Sequence, residues 1–132
     1  LHPMYAGDRS AVNTMKQAND LAGLINSEWV GVAVDVYHVW WDDTLKAEIE
    51  RCAKEKHLFA FHICDWNVPT TDFLNDRGLM GDGCINIPEI RSWVEEAGFT
   101  GFHEVEIFSS RFWATDQKEY LEKIKRAYLK KS

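Results

Sequence analysis

The sequence lacks long apolar runs and an excess of basic charge, and each absence removes a class of partner. No stretch of the 132 residues approaches the roughly 18–20 consecutive apolar residues that a membrane span needs. The formal net charge is -6, whereas sequence-independent binding of nucleic acid requires a basic face that displaces counterions. We therefore expect neither a membrane nor a nucleic acid as a partner.

Cysteine is scarce, and its pattern excludes a disulfide framework. Cys52, Cys64 and Cys84 are odd in number and show no C-x-x-C spacing, so they indicate reduced thiols in a cytoplasmic protein. Residues 1–5 have neither the basic region nor the apolar core of a signal peptide. Because the sequence also lacks an initiating Met, we expect it to begin inside a longer protein.

Apolar segments typical of buried strands alternate with amphipathic helical segments along the whole chain. The predicted strands are residues 30–36, 58–64 and 102–108, and the predicted helices begin at Asp8, at Asp42 or Asp43, at Asn86 and at Thr115. This alternation predicts an α/β fold with a parallel sheet. An eight-unit barrel needs about 250 residues, so the chain has room for about half of one. A small open sheet is the alternative.

Ionisable residues occur near the carboxyl ends of the three predicted strands. These residues are Asp35, His62, Glu104 and Glu106, and charge inside an apolar strand is costly unless it is paired or bound to a metal. Together they form an oxygen and nitrogen ligand set that suits Mn²⁺, Mg²⁺, Co²⁺ or Zn²⁺. Glu104 and Glu106 face the same side of a strand, so spacing leaves open which one is the ligand and which one supports it. The alternative is that backbone groups or ion pairs satisfy each residue separately.

Several further residues follow the strand ends and are candidates for substrate contact. His38 and Asp65 each come three residues after a presumed ligand, so they either reach a substrate, support a ligand from behind, or cap loops. Arg77 lies in a long loop over residues 67–86, where it could clamp an oxyanion or a sugar hydroxyl or pair with an aspartate. Trp66, like Trp40 and Trp41, either walls a sugar-sized pocket or packs against helices.

Four segments of the chain together resemble the sugar phosphate isomerase/epimerase superfamily, the xylose isomerase-like barrels. They are VDVYHVWW at 34–41, AFHICDW at 60–66, DRGLMGDG at 76–83 and EVEIFS at 104–109. The resemblance covers nearly the whole chain. It implies that residues 1–132 form a single segment, the C-terminal half of a (β/α)8 TIM barrel, with one divalent metal at its rim.

The resemblance also implies roles for individual residues. Asp35, His62 and Glu106 match three of the four metal ligands, and Glu106 is favoured over Glu104 because an apolar pair follows it. Glu106 would also move a proton, with Glu104 and Asp65 in supporting positions. His38 and Arg77 match positions that contact the substrate. The fourth ligand, a Glu, is expected upstream of Leu1, because residues 1–4 look like the tail of its strand.

The implied activity is that of a metal-dependent isomerase or epimerase of a keto sugar or sugar phosphate, acting by proton transfer through an enediolate. An inosose dehydratase-like lyase, an apurinic endonuclease and a non-catalytic barrel fragment are alternatives, and the negative charge counts against the endonuclease. Half a barrel leaves strand edges open and interior positions such as Val34 and Ile63 exposed. We therefore expect a homodimer or a missing N-terminal half, and no activity from the chain alone.

Overall fold

The computed structural model describes residues 1–5 and 7–132 and shows strands alternating with helices. The helices are α1 (Met15–Ile25), α2 (Val36–Val39), α3 (Leu45–Lys54), α4 (Ile87–Glu96), α5 (Ser110–Trp113) and α6 (Gln117–Lys131), and the strands are β1 (Val32–Asp35), β2 (Leu58–Ile63), β3 (Asp65–Trp66), β4 (Arg77–Gly78) and β5 (His103–Val105). The mixed α/β fold class predicted from the alternation is therefore confirmed. Within the described ranges, no helix has both the length and the apolar character needed to cross a bilayer.

A parallel three-stranded sheet in the order β1–β2–β5 organises the fold. Its register aligns Asp35 with His62, and His62 with Glu104. The carbonyl oxygen of Leu1 accepts a hydrogen bond of 2.8 Å from the backbone N–H of Ala33, so the segment before α1 runs beside the free edge of β1. Parallel strands bring their carboxyl ends to one edge of a sheet, and the candidate ligands lie at that edge.

The hydrophobic core lies between the sheet and its helices, and this corrects one prediction. Val34 and Ile63 were expected to face the barrel interior, but both are completely buried in the core that includes Met15 and Ile49 from the helices. The period-two alternation of strand side chains is the reason. It directs Asp35 and His62 to one face of the sheet and directs their apolar neighbours to the helix-covered face.

Helix α3 begins after Thr44 rather than after Asp42 or Asp43. Helices α1 and α6 also begin later than predicted, because a better capping residue follows the predicted one. Helix α1 begins after Thr14, which forms a reciprocal capping box with Gln17, rather than at Asp8. Helix α6 begins after Asp116, whose carboxylate accepts hydrogen bonds from two backbone N–H groups in the first turn, rather than at Thr115.

The segment predicted as a long loop contains a short antiparallel pairing of β3 with β4. The carboxylate of Asp65 is fully buried. It accepts backbone hydrogen bonds from Trp66 at 2.9 Å, Gly81 at 2.9 Å and Ile85 at 3.0 Å. Asp65 thus fixes both ends of the segment, which in turn carries Arg77 to the carboxyl edge of the sheet.

Candidate metal centre

Four side chains converge at the carboxyl edge of the parallel sheet. His2, Asp35, His62 and Glu106 each offer one ligand atom, and these atoms all lie within 4.8 Å of one another. The Nδ1 atom of His62 lies 3.9 Å from Oδ2 of Asp35 and 3.8 Å from Oε2 of Glu106. The Nε2 atom of His2 lies 3.4 Å from the same Asp35 oxygen. The structure thus brings together the three predicted ligands and adds a histidine to them.

The backbone accounts for the convergence of these side chains. Asp35 caps the short helix α2, because its Oδ1 accepts a 2.8 Å hydrogen bond from the backbone N–H of Tyr37, and its other oxygen is left for the cluster. Glu106 continues the line of β5, since its N–H donates to the carbonyl oxygen of Ile63 at 3.1 Å. His62 occupies the middle strand between them.

The donor atoms of this cluster fit a divalent cation. Two carboxylates and two imidazoles form a mixed oxygen and nitrogen set, which suits Mn²⁺, Co²⁺ or Zn²⁺. The Nδ1 atom of His62 is buried without a hydrogen-bond partner among the described residues, and it lies between the two carboxylates. A buried polar atom normally has a partner, so a bound cation would satisfy this nitrogen.

The guanidinium of Arg77 is buried directly against the carboxylates of the cluster. The side chain is 3% exposed. Its Nη1 lies 2.9 Å from Oε2 of Glu106 and 3.4 Å from Oδ2 of Asp35. Its plane lies over the ring of Tyr37, 4.3 Å from the ring centroid. Arg77 was predicted to contact substrate, and its present contacts are with the acidic members of the cluster.

The protonation of two cluster residues is set by their mutual contact. Burial opposes ionisation of Asp35, but the hydrogen bond to His2 and the charge of Arg77 outweigh burial and hold the pKa of Asp35 below its usual range. The same hydrogen bond raises the pKa of His2, although burial opposes the rise. Asp35 is therefore an ionised carboxylate at neutral pH, the form that binds a cation.

His38 is buried beside the cluster and is neutral at physiological pH. Burial lowers its pKa to about 4, and the positive charge of Arg77 acts in the same direction while Asp35 opposes it. Its Nδ1 faces the backbone N–H of Tyr5 at 3.0 Å, and its Nε2 faces Nη2 of Arg77 at 3.0 Å. A protonated ring would direct N–H groups at both of these donors, so the geometry also disfavours the charged form.

The remaining predicted site residues lie outside the cluster. Glu104 pairs in register with His62, but its side chain is exposed and it is not a member of the cluster. The hydrogen bonds of Asp65 go to the backbone of the β3–β4 segment rather than to a ligand. Trp66 is half-buried and stacks on Tyr37 with ring centroids 4.5 Å apart.

An aromatic cleft of about 310 Å³ opens beside His38. Its lining residues are Tyr5, Gly7, Trp40, Trp41, Trp66 and Phe73. The three tryptophans were predicted as candidates for such a wall, whereas no functional role was predicted for Tyr5, Phe73 or His2. The position of residues 1–4 at a strand end was the available signal for His2, and only a Glu was sought there.

Comparisons with known proteins agree with this architecture. The family described as xylose isomerase-like TIM barrel matches residues 1–131. An inosose isomerase of Bacillus subtilis strain 168 is 28% identical over 119 residues, which are 87% of this chain and 42% of that enzyme. The crystal structure of protein SMc04130 from Sinorhizobium meliloti 1021 has a TM-score of 0.92 at 46% identity, and the match covers 96% of this chain and 47% of that one.

A more distant structure shows the same fold. The crystal structure of the IOLI protein with a bound zinc atom has a TM-score of 0.78 at 23% identity, over 97% of this chain and 45% of that one. The chain spans less than half the length of each of these three proteins. The four converging side chains therefore lie in what corresponds to part of a barrel.

Proposed function

We propose, from the premise that the chain belongs to the xylose isomerase-like TIM barrel family, that it supplies part of the active site of a metal-dependent isomerase or epimerase. The substrate class is a keto sugar or sugar phosphate. The convergence of His2, Asp35, His62 and Glu106 within 4.8 Å carries the proposal. The names of relatives support it, since the curated relatives are inosose isomerases.

Asp35, His62 and Glu106 would hold the cation, and His2 lies close enough to join them. The IOLI protein, which shares this fold, has a bound zinc atom, and this supports a divalent cation as the cofactor. When bound, a divalent cation supplies positive charge that polarises a ketone and its neighbouring hydroxyl. A fourth ligand, the Glu expected upstream of Leu1, remains part of the proposal.

Glu106 is the group proposed to move the proton. Its side chain is 37% exposed, so it is accessible to a substrate, whereas Asp35 is completely buried. Glu106 takes the proton from the carbon that bears the hydroxyl, and the substrate becomes an enediolate. For the isomer, Glu106 returns the proton to the neighbouring carbon while the hydroxyl proton moves to the former ketone oxygen. For the epimer, the second carboxylate, proposed to lie upstream of Leu1, delivers a proton to the opposite face of the same carbon.

The surrounding residues keep the carboxylate of Glu106 in place during this transfer. Arg77 donates to Oε2 of Glu106 at 2.9 Å and to its backbone oxygen at 3.2 Å, so both the carboxylate and the peptide are held. His38 stays neutral and adds no positive charge beside Arg77. We propose that His38 and Arg77 face the substrate hydroxyls across the cluster, with Trp66 at the side.

We propose that the chain works in a larger assembly, either with an N-terminal barrel half or as a homodimer, in the cytoplasm. The three free thiols, two of them buried, support a reducing compartment. Because the second acid/base carboxylate is expected outside residues 1–132, we expect the chain alone to bind a cation weakly and to turn over no substrate.

A lyase that dehydrates an inositol-like ketone is the second candidate. It would use the same cluster and the same proton abstraction, and the inosose isomerases among the relatives favour a substrate of that kind. The two activities differ in the product, because dehydration eliminates water after the proton is removed. A non-catalytic barrel fragment would show neither activity.

The test measures exchange of the substrate's α-proton with D2O by NMR. The protein is the natural chain extended upstream through the first barrel half, loaded with Mn²⁺ or Zn²⁺, and the probes are 2-keto-myo-inositol and fructose 6-phosphate. Glu106→Gln should slow exchange by about 10²–10⁴-fold. Glu104→Gln removes an exposed carboxylate two residues away and is the matched control.

Metal binding is tested separately by titration calorimetry with Zn²⁺. Asp35→Asn and His62→Ala should each abolish most of the binding, whereas His103→Ala, on the helix-facing side of β5, should leave it unchanged. Exchange that is equally fast in Glu106→Gln and Glu104→Gln, or Zn²⁺ binding that survives both ligand substitutions, would overturn the proposed function.

A further inference from the structure

The guanidinium of Arg77 and a bound cation would share the same carboxylate oxygens. Nη1 of Arg77 lies 2.9 Å from Oε2 of Glu106 and 3.4 Å from Oδ2 of Asp35. These two oxygens also face Nδ1 of His62, at 3.8 Å and 3.9 Å, so they are the carboxylate oxygens that point into the cluster. A positively charged side chain therefore contacts the oxygens that a cation in the cluster needs.

Asp35 has one carboxylate oxygen to offer to a cation. Its Oδ1 accepts the 2.8 Å hydrogen bond from the backbone N–H of Tyr37, which leaves Oδ2. Nε2 of His2 and Nη1 of Arg77 each lie 3.4 Å from this remaining oxygen. Mg²⁺ is a hard cation that binds mainly carboxylates and water, so the cluster offers it little free carboxylate charge.

The imidazole nitrogens of the cluster are not engaged by Arg77. Among the described residues, none of the hydrogen bonds that Arg77 makes goes to His2 or His62. Nδ1 of His62 has no hydrogen-bond partner there at all. Imidazole nitrogen suits Zn²⁺ and Co²⁺. The guanidinium thus competes for the oxygen ligands of the cluster and leaves the nitrogen ligands free.

Aromatic rings and backbone groups hold Arg77 in this position. Its Cζ lies 4.3 Å from the ring centroid of Tyr37 and 4.8 Å from that of Phe108. Its backbone N–H donates to the carbonyl oxygen of Phe108 at 3.0 Å, and its Nη1 donates to the carbonyl oxygen of Glu106 at 3.2 Å. The side chain is 3% exposed. Solvent therefore screens little of the repulsion between this guanidinium and a cation in the cluster.

We infer that Arg77 is a specificity-determining residue of the cation site, because its guanidinium competes with the cation for Oδ2 of Asp35 and Oε2 of Glu106 and so favours Zn²⁺ or Co²⁺ over Mg²⁺. The inference rests on the cation site of the proposed function and narrows its cofactor. In this role Arg77 lowers the affinity for every divalent cation, and most for the cation that depends most on carboxylates. A merely structural role predicts the opposite, since loss of Arg77 would then loosen the cluster and weaken the binding of all cations.

The experiment measures the affinities for Zn²⁺ and Mg²⁺ by calorimetry on the extended protein, stripped of metal with a chelator, at about pH 8, where carboxylates are ionised. Arg77→Met should bind Zn²⁺ about tenfold and Mg²⁺ about a hundredfold more tightly, so the preference for Zn²⁺ falls about tenfold. Arg77→Lys retains the positive charge and should retain the preference. Arg91→Met is the control, because Arg91 contacts Glu95 and the ring of Tyr128 outside the cluster.

A second neutral variant guards against a failure of Arg77→Met to fold. Arg77→Gln also removes the charge, and its amide can still donate a hydrogen bond to Glu106. Circular dichroism monitors folding of both variants with and without cation. The inference is overturned if the neutral variants have the same preference for Zn²⁺ as Arg91→Met, or if they bind either cation more weakly than the original protein does. It is also overturned if both stay unfolded at saturating Zn²⁺, because the cation should replace the lost positive charge.

The readouts separate this inference from the proposed function. Zn²⁺ binding that is lost in Asp35→Asn and His62→Ala, together with an unchanged cation preference in Arg77→Met, removes the role of Arg77 and leaves the proposed cation site standing. A preference for Zn²⁺ that falls in Arg77→Met, in a protein that shows no proton exchange, keeps the role of Arg77 and removes the isomerase proposal.

Discussion

Replacing Arg77 by Met tests how much the buried guanidinium, beside the hydrogen bond from His2, contributes to keeping Asp35 charged. Met retains an unbranched side chain that can still pack on Tyr37, so the substitution removes mainly the charge and the hydrogen bonds. Asp35 is completely buried and lies 3.4 Å from Nη1 of Arg77. Glu106 is closer, at 2.9 Å, but its side chain is 37% exposed and solvent screens it.

The expected loss of stability follows from the Asp35 contact. At an effective dielectric constant of about 20, unit charges 3.4 Å apart attract by about 5 kcal/mol, and removing one partner of a buried pair typically costs about 3–5 kcal/mol. Without Arg77, Asp35 can take up a proton instead of remaining charged. Protonating an ordinary carboxyl costs about 4 kcal/mol at pH 7 and about 1.5 kcal/mol at pH 5. The loss of stability cannot exceed these costs.

We therefore expect Arg77→Met to lower the free energy of unfolding by about 3–4 kcal/mol at pH 7 and by about 1–2 kcal/mol at pH 5. Urea titration at both pH values measures it. Asp35→Asn removes the buried charge that Arg77 no longer compensates, so the double variant should be more stable than the sum of the single losses predicts. A coupling of about 2 kcal/mol is expected for groups in contact.

Arg91→Met is the matched control. Arg91 also pairs with a carboxylate, Glu95 at 2.7 Å, and lies over the ring of Tyr128, but both partners of its ion pair are partly exposed. Its replacement should cost about 0–1 kcal/mol. An equal loss in Arg77→Met at pH 7 and pH 5, or a loss no larger than that of Arg91→Met, would refute the reasoning.

Two further predictions concern His38 and Asp65. Burial holds the pKa of His38 at about 4, below its ordinary 6.5, so at acidic pH the unfolded chain binds a proton that the folded protein does not. The free energy of unfolding should therefore fall by about 3 kcal/mol as the pH decreases from 6.5 to 4. His38→Gln should flatten this decline in urea titrations. A decline of unchanged steepness in His38→Gln would contradict the assignment. Asp65→Ala leaves three backbone N–H groups without their acceptor and should lower the free energy of unfolding by about 2–4 kcal/mol. Asp72 is an exposed loop cap, and a loss in Asp65→Ala no greater than that in Asp72→Ala would show that Asp65 does not fix the β3–β4 segment.

The parts of the fold that depend on local pattern could be predicted from the sequence. The β-branched run around Val34 and the apolar spacing of the helices indicate a parallel α/β arrangement, which the structure shows. The position of Asp35, His62 and Glu106 at strand ends also predicted that these three residues would approach one another. The burial of Val34 and Ile63 could also have been predicted from the period-two alternation of strand side chains. Each residue neighbours a site residue, Asp35 or His62, so its side chain faces the opposite, helix-covered side of the sheet.

The parts that depend on long-range contact could not be predicted in the same way. Arg77 is separated from Asp35 by 42 residues, and only the folding of the β3–β4 segment around Asp65 brings them into contact. Likewise, Tyr5 and Phe73 belong to the aromatic cleft because two distant segments meet there. The spacing of neighbouring residues in the sequence does not predict such a long-range contact.

The separation of the core from the site on opposite faces of the sheet has a consequence for recombination. Val34, Phe61 and Ile63 are buried against helices of this same segment, while Ala33 and Ala60, on the opposite face, are small and only partly buried. An interface with another barrel half would thus lie on the face of the sheet that carries Ala33 and Ala60, and this face contributes little apolar packing. Half-barrel segments from different family members should therefore be exchangeable at that interface with little mismatch of core volume. New combinations of site residues can then arise without repacking of the hydrophobic core.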